Sequence, residues 1–159
     1  MKQRILFVCL GNICRSPSAE AILKHIVDRE GQSEHFIIDS AGLYSGHAGA
    51  RADARMRGHA NNRGYELLSI SRGFYASADF VNFDIIVGMD NSNIKGLLAL
   101  ANSDEEKAKI HRMTDYCSKY TKLTEVPDPY HGGDKGFQLV LDILEDACEG
   151  LYKQCKSNY

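Results

Sequence analysis

No run of lysine or arginine interrupts this sequence, and its 19 basic residues are offset by 21 acidic ones, for a net charge of −2. That balance provides no tail or stripe suited to a polyanion, so no nucleic-acid partner is expected. Long hydrophobic runs are also missing. Met1-Lys2-Gln3-Arg4 is followed by only six apolar residues, too few for the core of a secretory signal and far too few to span a bilayer. A cytoplasmic protein without membrane association is therefore expected. Paired CxxC spacing is absent: Cys9, Cys14, Cys117, Cys148 and Cys155 form an odd set that suits a reducing compartment better than a disulfide framework. The histidines are scattered without metal-ligand spacing, so no metal site is expected. Neither GxxxxGK[ST] nor GxGxxG follows the first apolar run, which removes the two commonest nucleotide-binding loops. No repeat, low-complexity tract or linker divides the chain. Its 159 residues read as a single catalytic domain over 1–159, a monomer large enough to bury a core without staples.

What is present alternates. Short apolar runs at Arg4 to Val8, Phe36 to Ile38, Phe83 to Val87 and Ile110 to Met113 suit strands buried on both faces of a parallel sheet. Between and after them, Ser18 to Arg29, Arg51 to Arg63, Ser92 to Leu100 and Phe137 to Tyr152 carry helical stripes, the first with Ser16 and Pro17 as cap and first helical position. Strands alternating with helices predict a three-layer, doubly wound α/β fold with helices on both faces of the sheet. Ligands in such folds sit beyond the carboxyl ends of the strands. Thr114 to Lys135, with Pro127, Pro129 and Gly132-Gly133, is irregular and long enough to be a functional loop.

Cys9 stands at the end of the first strand, and Arg15 follows it six residues later. A cysteine nucleophile attacks as its thiolate and needs an electropositive setting. The backbone N–H groups of Leu10, Gly11, Asn12, Ile13 and Cys14, the start of a helix, and a guanidinium able to chelate two oxygens would together hold a phosphoryl group over the sulfur. Gly11 permits a close turn, and Asn12 is among the few residues that tolerate a left-handed backbone. The Ser16 hydroxyl has two roles open to it, bonding the Cys9 sulfur or capping the helix.

Cleaving a phosphate monoester also requires a general acid, because the leaving oxygen is otherwise expelled as a poor alkoxide or phenoxide. Glu20 and Asp28 lie on the first helix and are expected to point away, while Asp39 and Asp90 follow strands. Asp128 is held between Pro127 and Pro129, which presents its carboxyl rigidly. From spacing alone, a turn-forming role for Asp128 stays open beside the catalytic one.

Cys9 to Pro17 (CLGNICRSP), Asp39-Ser40-Ala41-Gly42, Met89-Asp90 and Asp128-Pro129-Tyr130 together resemble the low-molecular-weight protein-tyrosine-phosphatase family, in order and nearly end to end. The resemblance implies a central four-stranded parallel sheet and hydrolysis of phosphotyrosine on a protein substrate without metal or other cofactor. It implies Cys9 as nucleophile, Arg15 as phosphate clamp and Asp128 as general acid, with Asn12, Ser16 and Ser40 in a supporting network. Two departures stand out. The family's loop after DSAG often carries an aromatic beside the substrate ring; here Gly46 stands near that place, so Tyr44 or Tyr130 is the expected wall. A histidine common before the third strand is replaced within Ser69-Ile70-Ser71-Arg72.

Other readings share the scaffold. A protein-arginine phosphatase typically has threonine where Ile13 stands, and the arsenate reductase of this fold needs two further cysteines that residues 70 to 100 lack. A phosphotyrosine-binding or redox-sensing module without turnover would make use of Cys14, close enough in sequence to Cys9 for a reversible disulfide. Arg51, Arg55, Arg57, Arg63 and Arg72 outnumber the acids around them and could form a basic rim for acidic phosphoproteins.

Overall fold

A computed structural model describes residues 2–129 and 132–157. The first strand, β1 (Gln3–Cys9), leads through a short loop into helix α1 (Arg15–Arg29) and then β2 (Phe36–Gly42). Helices α2 (Ala54–Asn61) and α3 (Ala76–Asn82) precede β3 (Ile85–Gly88), α4 (Asn91–Leu100) and the single turn α5 (Asp104–Lys107). The chain closes with β4 (Ile110–Arg112) and the long α6 (Gly133–Lys156). The strands form one parallel sheet in the order β2-β1-β3-β4.

The expected doubly wound architecture is present, and side-chain parity along β1 explains its layers. Ile5, Phe7 and Cys9 pack with α1, α2 and α6, through Ile22, Met56 and Leu144 among others. Leu6 and Val8 point the other way, onto Phe80 of α3 and Leu97 of α4. A strand buried on both faces reads as an unbroken apolar run, which is why β1 was legible. The chain passes from β1 to β2 on one side and returns to β3 on the other, so a crevice opens above the carboxyl ends of β1 and β3. Both Cys9 and Met89-Asp90 are delivered to it. No helix among the described residues is long and apolar enough to cross a membrane.

Several boundaries differ from expectation. Helix α1 begins at Arg15, with Cys14 at its N-cap position and no side-chain cap, so Ser16 is already inside the first turn. Strand β2 continues through Asp39 and Ser40 to Gly42; its apolar run stops early because its last residues are committed to the crevice. Helix α3 carries too few apolar positions to announce itself. Helix α2 is shorter than Arg51 to Arg63 because Asp53 caps it, accepting from the N–H groups of Arg55 and Met56. The irregular stretch is shorter too: a 3-10 turn occupies Met113–Tyr116, and α6 starts before its apolar stripe does.

Candidate active site

Because Cys9 shares a face with Ile5 and Phe7, its sulfur projects toward the start of α1, where Ser16 Oγ lies 3.0 Å away. Between them the loop is turned inside out. The carbonyl of Cys9 accepts from the N–H of Leu43 (3.1 Å), that of Leu10 from the N–H of Tyr44 (2.8 Å), and that of Ile13 from the N–H of Asp53 (2.8 Å). The Gly11 carbonyl accepts from the Ser71 hydroxyl at 3.0 Å, and the Cys14 carbonyl from Ser18 Oγ at 2.7 Å. All described peptides are trans, so a carbonyl pinned outward turns the following N–H inward. Leu10, Gly11, Asn12, Cys14 and Arg15 thereby line an anion nest at the positive end of α1.

Asn12 holds this shape. Its φ of 57° is in the left-handed region, as expected, and its side chain is buried. Its Nδ2 donates to Ser16 Oγ at 2.8 Å and to Ser40 Oγ at 2.9 Å, while its Oδ1 accepts the Arg72 backbone N–H at 3.0 Å. Ser40 in turn donates to Glu20 Oε1 at 2.6 Å. Ser16 Oγ accepts from Asn12, which leaves its own proton for the Cys9 sulfur whenever that sulfur is a thiolate with no proton to give. The sequence expectation that Glu20 points away was wrong, because this carboxylate is buried on the inner face of α1 and terminates the relay. Asp28 does lie on the exposed side. Of the two roles open to Ser16, the structure favours the sulfur. Where the family has a histidine before β3, the Arg72 main-chain N–H is what bonds Asn12 here.

Gly42 is required by close approach to backbone rather than by φ, whereas Gly11 lies against the exposed His47 ring, which would have to shift to admit a side chain. A Cβ on Gly42 would stand 2.8 Å from the Leu10 carbonyl oxygen and 3.0 Å from the Asn12 nitrogen, and one on Gly11 would stand 3.1 Å from the His47 ring.

Arg15 is 5% exposed, and its Nη1 donates to Asp90 Oδ2 at 2.8 Å and to the Val126 carbonyl at 2.9 Å. With that nitrogen committed, Nε and Nη2 form the edge of the fork offered to a phosphoryl group. Asp90 is itself fixed as the N-cap of α4, its other oxygen accepting from the Asn93 N–H. Its anchoring function was missed in the sequence, although Met89-Asp90 directly after a buried strand was the signal.

Cys9, Leu10, Gly11, Ile13, Cys14, Arg15, Tyr44, His47 and Asp128 line one cavity of about 260 Å³. Asp128 is solvent-exposed at its rim. A larger groove of about 620 Å³, bounded by α1, β2 and residues 64–68, has neither a thiol nor an arginine in its lining. Tyr44 is the described aromatic in this lining: its ring meets His47 edge-on at 5.9 Å, and a Cβ built on Gly46 would overlap the phenolic end of that ring. The tyrosine in this position requires the glycine beside it. Tyr130, the other candidate, lies outside the described residues.

Cys14 is buried beside Cys9, and both are free thiols. Burial, reinforced by the negative charge of Asp53 and by Cys9, pushes the Cys14 thiol up to about 12, so it stays neutral at physiological pH. The basic rim is smaller than expected. Arg63 is matched by Glu145 (2.6 Å) and Asp142 (2.9 Å), and Arg72 by Asp79 (3.0 Å) and Asp39 (3.1 Å), which makes both cross-links of the fold. Among the described residues, no three His, Cys, Asp or Glu side chains gather as a metal site.

A family model described as low molecular weight phosphotyrosine protein phosphatase matches residues 4–159. A low molecular weight protein-tyrosine-phosphatase of Streptomyces coelicolor is 37% identical over 152 residues, 95% of this chain and 92% of that one. The crystal structure of a protein tyrosine phosphatase from Entamoeba histolytica, with Hepes in its active site, superposes with a TM-score of 0.94 at 50% identity, covering 99% of each chain. An arginine phosphatase of Drosophila superposes at 0.88 with 34% identity over 100% of both chains.

Proposed function

The chain belongs to the low molecular weight phosphotyrosine protein phosphatase family, and we propose that Cys9, Arg15 and Asp128 carry its hydrolysis of phosphotyrosine in two steps. Cys9 Sγ attacks phosphorus in line as the bond to the phenolic oxygen breaks, and the protonated Asp128 carboxyl gives that oxygen its proton. The product is tyrosine and a phosphocysteine. Asp128, now a carboxylate, takes a proton from water, whose oxygen attacks phosphorus; the P–S bond breaks and inorganic phosphate leaves. Throughout, the inward N–H groups and the free edge of the Arg15 fork bear the charge on the three equatorial oxygens. Ser16 donates to the sulfur, which favours its departure as a thiolate.

One observation supports this assignment above the rest: the thiol, the guanidinium and the carboxyl share a single small cavity, over a loop in which the carbonyls of Cys9, Leu10, Gly11, Ile13 and Cys14 are bonded away from it.

Phosphoarginine is the rival substrate, since one structural neighbour is an arginine phosphatase. Ile13 argues against it here. Its branched apolar side chain lines the cavity together with Leu10 and Tyr44, a setting matched to an aryl ring and poorly matched to a guanidino group. The test is a set of kcat/KM values for phosphotyrosine, phosphoarginine and phosphoserine peptides, with Cys9→Ser as the blank. The phosphotyrosine peptide is expected to lead by about 10-fold or more, with no turnover in the blank. Phosphoarginine in the lead would replace the substrate, and substantial turnover by Cys9→Ser would replace the mechanism.

A further inference from the structure

The cavity over Cys9 has room for an aryl phosphate but not for the peptide that carries it, so the residues flanking a phosphotyrosine must cross its rim. On one side that rim is apolar. Leu10, Tyr44 and Tyr75 are 55%, 57% and 62% exposed, the kind of large apolar surface that a soluble domain shows where something docks. Leu10 and Tyr44 already belong to the cavity wall and are joined by the Tyr44 N–H to the Leu10 carbonyl at 2.8 Å. Tyr75 continues the surface outward. Its ring and Ser45 lie on the same open side of Gly73, where a Cβ would stand 3.2 Å from Ser45 Cβ and 3.9 Å from Tyr75 Cζ. Gly73 thus keeps Tyr75 beside the loop that bears Tyr44.

The position is also fixed relative to the nucleophile. The Tyr75 N–H donates to Asp79 at 2.8 Å, Asp79 pairs with Arg72, and the Arg72 N–H donates to Asn12 in the phosphate loop. Arg72, the cation beneath this surface, is already matched by Asp39 and Asp79, so apart from the His47 ring beside Tyr44 this side of the rim offers apolar area rather than charge.

We propose that Leu10, Tyr44 and Tyr75 form an apolar shelf that binds a hydrophobic side chain of the substrate protein next to its phosphotyrosine. The proposal rests on the phosphatase reading above and narrows its substrate class to phosphotyrosines with apolar neighbours. Tyr75 touches neither the phosphoryl group nor Cys9, so its contribution is to peptide recognition alone.

The experiment compares phosphotyrosine peptides of equal length carrying either leucine or aspartate at the two positions on each side, with p-nitrophenyl phosphate as a probe too small to reach the shelf. In the unaltered enzyme the leucine peptide is expected to exceed the aspartate peptide by about 5-fold or more in kcat/KM, the worth of partly burying one aliphatic side chain. In Tyr75→Ala the advantage is expected to fall toward unity while kcat/KM for p-nitrophenyl phosphate is unchanged; Tyr75→Phe, which keeps the ring, is expected to retain it. The exposed ring makes loss of folding in Tyr75→Ala unexpected, and the small-substrate rate detects it. Equal rates on the two peptides, or an advantage that survives Tyr75→Ala, would overturn the shelf and leave the phosphatase standing. No turnover of p-nitrophenyl phosphate by the unaltered enzyme would instead overturn the phosphatase, and the shelf with it.

Discussion

Residues 9–16 and residues 117–129 both serve the cavity, one from inside the fold and the other from its surface. In the first stretch Asn12, Arg15 and Ser16 are at most 5% exposed, and nearly every carbonyl has an assigned partner. The second is exposed over most of its length and is tied down only at intervals. At its start, Asp146 of α6 accepts from the N–H groups of Ser118, Lys119 and Tyr120; in its middle, Val126 bonds Met89 and Arg15. At its end, the Pro129 carbonyl accepts from the N–H of Gly132. The difference fits the roles proposed for the two stretches. Charge that spreads over phosphoryl oxygens is stabilised by dipoles that need not reorient, which demands burial. A carboxyl that gives and takes protons must reach both the leaving oxygen and water, which demands exposure.

Three substitutions test whether that division is real. The largest effect is expected from Asp128→Ala: kcat on phosphotyrosine peptides should fall by about 10²- to 10³-fold, and far less on aryl phosphates whose leaving phenol is acidic. A leaving-group series reads this directly, and a uniform loss across it would place Asp128 in the cradle rather than in proton transfer. Asn12→Ala should behave in the opposite way, lowering kcat by roughly 10- to 100-fold for every leaving group. It should also cost about 2–3 kcal/mol of stability, for two buried hydrogen bonds and a left-handed backbone that alanine adopts poorly. Asn12→Gly should recover about 1 kcal/mol in urea unfolding but none of the kcat. If kcat recovered as well, backbone shape rather than the relay would be the operative element.

The smallest effect concerns the tether. Burial works against the charge on Asp146, but the N–H groups of Lys119, Tyr120 and Ser118 and the Ser118 hydroxyl outweigh it and hold the carboxyl at about 2. A carboxyl lowered on folding contributes stability that is complete above its unfolded value of ~3.9 and is lost as pH falls through about 2. Unfolding midpoints should therefore decline between those pH values in the natural protein, and the Asp146→Asn variant should lack that component. At neutral pH the variant should have a lower kcat on peptides, with the loop less well held, and an unchanged leaving-group dependence. A changed dependence would mean that the tether acts on proton transfer itself.

Much of this was legible in the chain. Strand β1, buried on both faces, and the loop from Cys9 to Arg15 could be read because each obeys a local rule: an apolar run, then a glycine, a left-handed asparagine and a helix start. Asp128 was singled out by the two prolines that frame it and by the family resemblance, and it lines the Cys9 cavity. What escaped reading depends on residues far apart in sequence. Glu20 looked like a surface residue of an amphipathic helix, and only the register of β2, which sets Ser40 opposite it, makes it the end of the relay. Asp90 reads in the sequence only as a residue after a strand, yet it caps α4 with one oxygen and serves Arg15 with the other. Arg63 and Arg72 resembled a rim because their partners, Asp142, Glu145 and Asp79, sit on other elements. Tyr44 and Gly46 could be named but not connected until the ring was seen to occupy the space above the glycine.

The bond from Arg15 to the Val126 carbonyl spans 111 positions of the chain. Its consequence concerns synthesis. The loop from Cys9 to Arg15 is made before Val126, so the guanidinium is not locked until that later segment has been made and docked. A nascent or truncated chain ending before Val126 would thus present a thiol without a fully seated clamp. On the roles proposed for Cys9 and Arg15, competence to cleave phosphate would be deferred until Val126 is docked, which would make turnover a readout of that late folding step.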